Sequence, residues 1–168
     1  MSRFLAFGAV CALLCGCGTS YSWRSSVPEA VRTVSVPIFR NESNVMELGA
    51  IASRQILREF QREGTFKIKT NGDAALEVQG VVKSTNAGIS AYDRRAGMRF
   101  AAYDFEADVE VSVIDKRVGK VLINNRLFKA RASFTAGQDT ATAMRDASGR
   151  LMDDLSRQVV DAVLSLKW

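Results

Sequence analysis

Residues 99–115 read RFAAYDFEADVEVSVID, and this stretch decides the fold. One set of alternate positions is apolar: Tyr103, Phe105, Ala107, Val109, Val111 and Val113. The intervening set is acidic or polar: Asp104, Glu106, Asp108, Glu110 and Ser112. Because successive side chains of a strand point to opposite faces, this alternation predicts a strand with one buried face and one wet face.

The segments on either side predict strands that pair with it. Before it, Ala75–Ala91 is expected to be a strand, and residues 92–97 form the tip of a long hairpin. After it, Gly119 indicates a tight turn, and Val121–Phe134 is expected to be the next strand. The middle of the chain therefore predicts three long strands that follow one another.

Two helices are predicted from apolar residues at helical spacing. The first spans Val45–Arg62, where the apolar stripe is Leu48, Ala52, Ile56 and Phe60. The second opens at residues 137–140 and runs to about Ser165, where the stripe is Met144, Ala147, Leu151, Leu155, Val159 and Val163. Ser43 or Asn44 is expected to cap the first helix, and Gly64 is expected to end it.

Two short strands complete the pattern. Thr33–Phe39 alternates, with Pro37 placing it at an edge or near its end, and Phe66–Thr70 follows the first helix. The order is then β-α-β-β-β-β-α. It predicts an α+β fold, a two-layer sandwich with one mostly antiparallel sheet and two helices on one face.

The first residues predict an export signal rather than part of the fold. Arg3 precedes an apolar run, Phe4–Leu14, of signal-peptide length. The next residues, Leu14-Cys15-Gly16-Cys17, resemble the bacterial lipobox, where cleavage before the cysteine is coupled to lipid attachment at its thiol. We therefore expect Cys17 to be lipidated; a plain secreted protein or an uncleaved N-terminal anchor are the alternatives.

A chain processed in this way is anchored to a membrane by acyl chains. Gly18 follows Cys17 where inner-membrane lipoproteins often carry Asp, which favours the outer membrane and its periplasmic face. The expected organisation is a signal peptide at 1–16, a lipidated tether at 17–30 and a single α+β domain at 31–168.

The composition argues against an enzyme. Histidine, the commonest general base and a common zinc ligand, is absent, and all three cysteines lie within residues 11–17. No glycine-rich phosphate loop is present. We expect no catalytic residue, no metal, no cofactor and no nucleic-acid partner. The formal net charge of +5 suits anionic partners such as phosphates or lipid head groups.

Two charged features are candidates for function. The carboxylates of 104–110 suggest either calcium or paired acid catalysis, but a wet sheet face paired across strands with Lys129 and Arg131 is favoured. At the hairpin tip, Arg94 and Arg95, with Arg99 nearby, form a compact donor cluster for phosphate or carboxylate. A solubilising loop is the alternative interpretation of these arginines.

The order and spacing of several short motifs resemble those of the LptE lipopolysaccharide-assembly lipoprotein family. The motifs are Cys17-Gly18, Arg24, Val27-Pro28, Thr33–Phe39 with Asn41, Glu59-Phe60, Asp73-Ala74-Ala75-Leu76, Gly80, Tyr92-Asp93-Arg94, Val109–Asp115, Gly119-Lys120-Val121-Leu122 and Trp168. The resemblance covers essentially the whole chain after the signal peptide.

The resemblance implies a non-enzymatic protein that plugs an LptD-like outer-membrane β-barrel, supports its assembly and promotes lipopolysaccharide insertion. It implies that a basic residue at the hairpin tip contacts lipopolysaccharide, a place held here by Arg94 or Arg95. A second basic position is expected before the last helix, but residues 136–142 contain no Lys or Arg. Lys129 and Arg131 are nearby substitutes.

A different class of lipoprotein remains the alternative. Openings of the form V-x-V-x-x-F-x-N also occur in lipoproteins that activate a peptidoglycan synthase or assemble a secretion pore. Such a protein would bind a periplasmic enzyme domain or further copies of itself, whereas the first interpretation requires a β-barrel partner.

Overall fold

The computed structural model describes residues 27–70, 73–93, 100–136 and 139–168. The strands are β1 (Thr33–Ser35), β2 (Arg40–Asn41), β3 (Lys67–Ile68), β4 (Leu76–Asp93), β5 (Phe100–Asp115) and β6 (Lys120–Ala136). The helices are α1 (Leu48–Glu63) and α2 (Thr140–Leu164), and a 3-10 turn at Glu29–Val31 precedes β1. The α+β prediction is confirmed, but the expected strand Thr33–Phe39 ends at Ser35, and β2 is an additional strand.

The strands form one mixed sheet in the order β3-β1-β4-β5-β6. β1 is parallel to both β3 and β4, whereas β4, β5 and β6 pair antiparallel as a continuous meander. The chain leaves the sheet after Ser35 because Pro37 has no backbone N–H to donate. It returns as β2, where Arg40 pairs with Val81 of β4.

Both helices cover the same face of the sheet, which makes the second layer. The predicted stripe of α1 is buried at Leu48, Ala52, Ile56 and Phe60, and that of α2 is buried from Ala147 to Val163 with Met144 partly covered. On β5, Phe105, Ala107, Val109, Val111 and Val113 face the helices and are at most 1% exposed. The predicted buried face of this strand is therefore confirmed.

The loop between β1 and β2 is held against α1 and β4 by Phe39. The Phe39 backbone N–H donates to the Ser53 hydroxyl at 2.8 Å, and that hydroxyl lies 3.0 Å from the Pro37 carbonyl oxygen. The Phe39 ring, 2% exposed, occupies the space above Gly80, where a Cβ atom would lie 2.1 Å from the ring. Gly80 thus leaves room for an aromatic ring within the core.

The prediction that Ser43 or Asn44 caps α1 is wrong. The N-cap is Glu47, whose φ of 65° is left-handed and whose side chain makes no capping hydrogen bond. Both expected residues are engaged elsewhere: the Ser43 hydroxyl donates to the Asn41 side chain, and the Asn44 side chain accepts from Thr85. The C-terminal prediction is confirmed, since Gly64 ends α1 with φ of 83°.

The domain has two distinct ends. We call the helix-covered part around β1–β3 and residues 76–82, 109–115 and 120–128 the body. We call the distal three-stranded part, residues 83–93, 100–108 and 129–136, the tongue. The end of the body remote from the tongue is the base, formed by residues 27–33, 64–70, 115–120 and 164–168.

Candidate functional site on the tongue

The tongue exists because three strands are far longer than ordinary strands. β4, β5 and β6 contain 18, 16 and 17 residues, whereas five or six is typical. At about 3.3 Å per residue, β4 extends for roughly 60 Å. Beyond Val82, where β2 stops pairing, residues 86–91 of β4 are exposed.

The helix-side face of the tongue is covered by aromatic packing rather than by the whole helix layer. The rings of Tyr103 and Phe134 stack with centroids 5.0 Å apart, and Phe105 meets Phe134 edge-on at 6.3 Å. Met144 and Ala143, in the first turns of α2, pack against the same core. These ring contacts link β5 and β6 on the helix side up to the level of Tyr103.

The opposite, open face of the tongue carries a ladder of charged pairs. Asp108 lies directly opposite Lys129, and Glu106 opposite Arg131, in the β5–β6 register. The Lys129 Nζ to Asp108 Oδ1 distance is 3.0 Å, and the Arg131 Nε to Glu106 Oε1 distance is 2.9 Å. The predicted pairing of the carboxylate row with these two basic residues is confirmed.

These pairs are electrostatically balanced and weak. Their side chains are 35–71% exposed, and exposed ion pairs contribute about 0–1 kcal/mol. Asp104, which accepts a hydrogen bond from the Ser133 hydroxyl, adds a further negative charge to the face. An incoming phosphate would therefore have to displace a carboxylate from Lys129 or Arg131, so this pair alone makes a poor anion site.

The other predicted site residues lie outside the described residues. Arg94, Arg95 and Arg99 belong to the segment that joins β4 to β5, and Cys17 precedes the described chain. The last described residues on either side, Asp93 and Phe100, are paired across the two strands. Residues 94–99 join these two strands along the sequence.

Sequence reasoning missed how the outer edge of β6 is covered. Three α2 side chains four residues apart cap its backbone. Arg131 N–H donates to Asp154, Gln158 donates to the Lys129 carbonyl, and Arg150 donates to the Ser133 carbonyl, at 3.0–3.2 Å. An unpaired strand edge invites pairing with other chains, and these side chains block it. The spacing of Arg150, Asp154 and Gln158 is the signal that could have revealed a polar helix stripe.

The helix that covers the tongue begins with a charged cap. Asp139 accepts from the Thr142 N–H at 3.0 Å, and its hydrogen bonding to Thr142 lowers the pKa of the Asp139 carboxyl below its ordinary value. A negative charge at a helix N-terminus is favourable because the N–H groups there are unpaired.

Other kinds of site have little support in the described part of the chain. Within residues 27–70, 73–93, 100–136 and 139–168, no three acidic side chains or other ligands converge as a metal site would require. None of the helices in those ranges is long and apolar enough to cross a membrane. A groove of about 350 Å³ on the open face of the body, lined by residues that include Ile38, Gly80, Glu110 and Asn125, is shallow and mixed in character.

Comparison with known proteins identifies the family. A family model described as LptE, lipopolysaccharide-assembly, matches residues 31–163. The chain belongs to the LptE family. LptE proteins are non-enzymatic lipoproteins of the outer membrane. The resemblance inferred from short motifs is thereby confirmed over almost all of the folded chain.

Solved structures share the fold of this chain at low sequence identity. A hypothetical protein from Chlamydia trachomatis is 16% identical with a TM-score of 0.53, and the match covers 80% of this chain and 96% of that one. A neuraminyllactose-binding hemagglutinin homologue from Helicobacter pylori is 10% identical with a TM-score of 0.51, covering 82% and 85%. No curated protein matches significantly. These likenesses concern the fold alone.

Proposed function

We propose that this protein is an outer-membrane lipoprotein, anchored through lipid on Cys17, that binds an LptD-like β-barrel and promotes lipopolysaccharide insertion into the outer leaflet. The LptE family match over residues 31–163 carries the proposal. In this function the body acts as a binding scaffold and no chemical step is catalysed.

The surface of the domain is compatible with a plug. The lumen of a large outer-membrane barrel is polar, so a protein inside it needs wet faces on several sides. The open face of the tongue has this character, with Asp108–Lys129 and Glu106–Arg131 pairs across the strands. The exposed residues 86–91 of β4 are small or polar except Ile89.

For the lipid contact, we propose that Arg94 and Arg95 bind phosphates of lipopolysaccharide, with Arg99 beside them. Guanidinium groups bind phosphate in a bidentate manner, and charge-assisted hydrogen bonds of this kind are among the strongest in proteins. Lys129 and Arg131 take a secondary role, because each is already paired with a carboxylate. They lie on β6 and would meet a ligand only after it passed the end of the tongue.

Affinity purification from outer membranes tests the proposed partner. The full chain with a C-terminal tag is expected to recover a large β-barrel protein in near-stoichiometric amount. A Cys17→Ser variant, expressed equally, controls for recovery that depends on the lipid anchor. Recovery of a peptidoglycan synthase, or of a ring of this chain without a barrel, would instead support the alternative class of lipoprotein.

Metabolic labelling tests the anchor by itself. Labelled palmitate is expected to enter the wild-type chain and a Cys15→Ser variant, but not Cys17→Ser. The two cysteines are two positions apart in the same segment, so Cys15→Ser is a matched control. Label retained in Cys17→Ser would refute lipidation at this residue.

A further inference from the structure

The base gathers four separate segments of the chain at one end of the domain. The Lys67 N–H donates to the Arg32 carbonyl at 2.7 Å, which joins the first residues of the fold to β3. The Ala75 N–H donates to the Thr33 hydroxyl, and the Ala75 carbonyl accepts from Lys116 N–H, each at 2.8 Å. The Trp168 ring lies 6.5 Å from that of Phe66, so the C-terminus reaches the same end.

Several lysines project from the base. Lys67, Lys69, Lys120 and Lys167 are exposed, and none is within ion-pair distance of a carboxylate in the part of the chain that the structure describes. The tongue differs, because Lys129 and Arg131 there are both paired. Two further cations of the base, Lys116 and Arg117, pair with Glu77 and Asp115.

An exposed apolar side chain stands among these cations. Val118, at the β5–β6 turn, is 69% exposed and lies between Arg117 and Lys120 in sequence. The turn closes through Gly119, whose φ of 66° is left-handed. An exposed apolar side chain with basic neighbours in sequence favours contact with the surface of an anionic bilayer.

The chain also begins its fold at this end. Val27 is buried in the core and follows Cys17 by ten positions (27 − 17). Ten residues span at most about 35 Å when extended. If Cys17 carries lipid, as the proposed function holds, the base lies within that distance of the bilayer, whereas the tongue points away from it.

We propose that the base is a membrane-contact surface, which binds anionic phospholipid head groups of the leaflet that holds the anchor. Lys67, Lys69, Lys120 and Lys167 supply the charge, and Val118 inserts at the head-group level. The surface would fix the orientation of the domain on its anchor, with the tongue held upright.

Vesicle binding tests this surface without the anchor. The probe is the chain from residue 17 with Cys17→Ser, which contains every described element, mixed with vesicles of phosphatidylglycerol and phosphatidylcholine in equal parts. We expect co-sedimentation that weakens as salt is added and is absent with pure phosphatidylcholine. The triple variant Lys67→Gln, Lys69→Gln, Lys120→Gln is expected to lower partitioning at least tenfold, because each cation near an anionic surface contributes about fivefold.

A matched triple variant separates the effect of where the charges lie from the effect of the net charge of the protein. Arg54→Gln, Arg58→Gln and Arg145→Gln remove the same number of charges from exposed helix positions outside the base, and partitioning is expected to fall less than threefold. Val118→Asp is expected to weaken binding, whereas Ile89→Asp, on the exposed tongue, is not. Circular dichroism reports whether each variant folds.

Three results would contradict the proposed membrane-contact surface. They are no binding to the anionic vesicles, equal binding to pure phosphatidylcholine, and equal losses in the two triple variants. Since the assay uses Cys17→Ser, failure of lipidation leaves its outcome unchanged, and the palmitate experiment reports on lipidation separately.

Discussion

Body and tongue share the same three strands, yet they are built by different rules. In the body, β4 alternates cleanly, with Leu76, Val78 and Val82 fully buried beneath the helices. Only a few residues later, the same strand has residues 86–91 exposed. The hydrogen-bonded ladder continues through both parts, from Leu76 paired with Asp115 to Asp93 paired with Phe100.

The difference shows that pairing and burial are separable along one strand. Backbone hydrogen bonds between the strands continue into the tongue. The favourable free energy of folding, in contrast, comes mainly from apolar burial beneath the helices. Substitutions at buried positions should therefore act on stability, and substitutions at exposed positions of the tongue on binding. Three pairs of substitutions, Phe60 with Ile89, Gly80 with Gly88 and Ser53 with Ser133, set a position in the body against one in the tongue.

The largest expected effect is removal of a core aromatic ring. Phe60 is fully buried on α1 and meets the Phe66 ring edge-on at 5.3 Å. Phe60→Ala is expected to lower the free energy of unfolding by about 3–5 kcal/mol through lost burial and a residual cavity. Ile89→Ala on the tongue, where the side chain is 62% exposed, is expected to change it by less than about 0.5 kcal/mol. Urea titrations measure the free energy of unfolding of both variants. Similar losses of stability in the two would contradict the difference between body and tongue.

Two glycines of β4 give a closer comparison. Gly80→Ala places a Cβ atom 2.1 Å from the Phe39 ring, which is buried and has little room to move. Such overpacking is expected to cost about 1–3 kcal/mol. Gly88→Ala meets no atom within 4 Å and is expected to be neutral or slightly stabilising.

A double-mutant cycle tests the cause of the Gly80 effect. Phe39→Ala removes the ring, so Gly80→Ala should cost much less in that background than in the wild type. Additive losses in the double variant would mean that the clash with Phe39 is not the reason for the glycine.

Removal of the Ser53 hydroxyl is expected to lower stability less than removal of the Phe60 ring. Ser53→Ala leaves the buried Phe39 N–H without its acceptor, which is expected to cost about 1–3 kcal/mol. Ser133→Ala on the tongue removes an exposed hydroxyl bonded to Asp104, and its cost is expected to be within about 0.5 kcal/mol. Thermal melts at neutral pH rank the two, and the reverse order would contradict the assigned role of Ser53.

The smallest expected effect is the acid response of the α2 cap. The pKa of Asp139 is lowered by its hydrogen bonds to Thr142, so the charged carboxylate stabilises the fold above its ordinary pKa of 3.8. This contribution is lost as the pH falls through the lower folded-state pKa. Asp139→Asn keeps an acceptor without the charge, so its Tm should approach that of the wild type only at acidic pH. A constant difference in Tm at every pH would argue against the charge.

The sequence predicted what depends on local periodicity. Alternation at 103–113 gave the faces of β5, and the four-residue repeat of Leu48, Ala52, Ile56 and Phe60 gave the buried face of α1. It even indicated the cross-strand partners of the carboxylates, because hairpin register follows from strand spacing.

Features that depend on distant contacts could not be predicted in the same way. Ser43 and Asn44 have the composition of helix caps, but Asn41 and Thr85 take their side chains. The position of Phe39 depends on contacts with Ser53 and Gly80, which lie far along the chain. The alternation of apolar and polar residues along a strand does not reveal such contacts. Lys129 and Arg131 pair with Asp108 and Glu106 as the alternation predicts, and this pairing limits their use as ligands for an anion.

Lipopolysaccharide binding tests most directly whether the tongue binds the ligand while the body supports it. The chain from residue 17 with Cys17→Ser would be titrated with purified lipopolysaccharide, alone and with Arg94→Asp and Arg95→Asp combined. We predict that the Kd of that variant is at least tenfold higher, because two charge-assisted contacts are lost. The control, Arg54→Asp with Arg58→Asp, makes the same charge change on exposed α1 positions and should bind nearly as the parent does. Unchanged binding after the tip substitutions, or equal weakening in both variants, would contradict the assignment of the tongue.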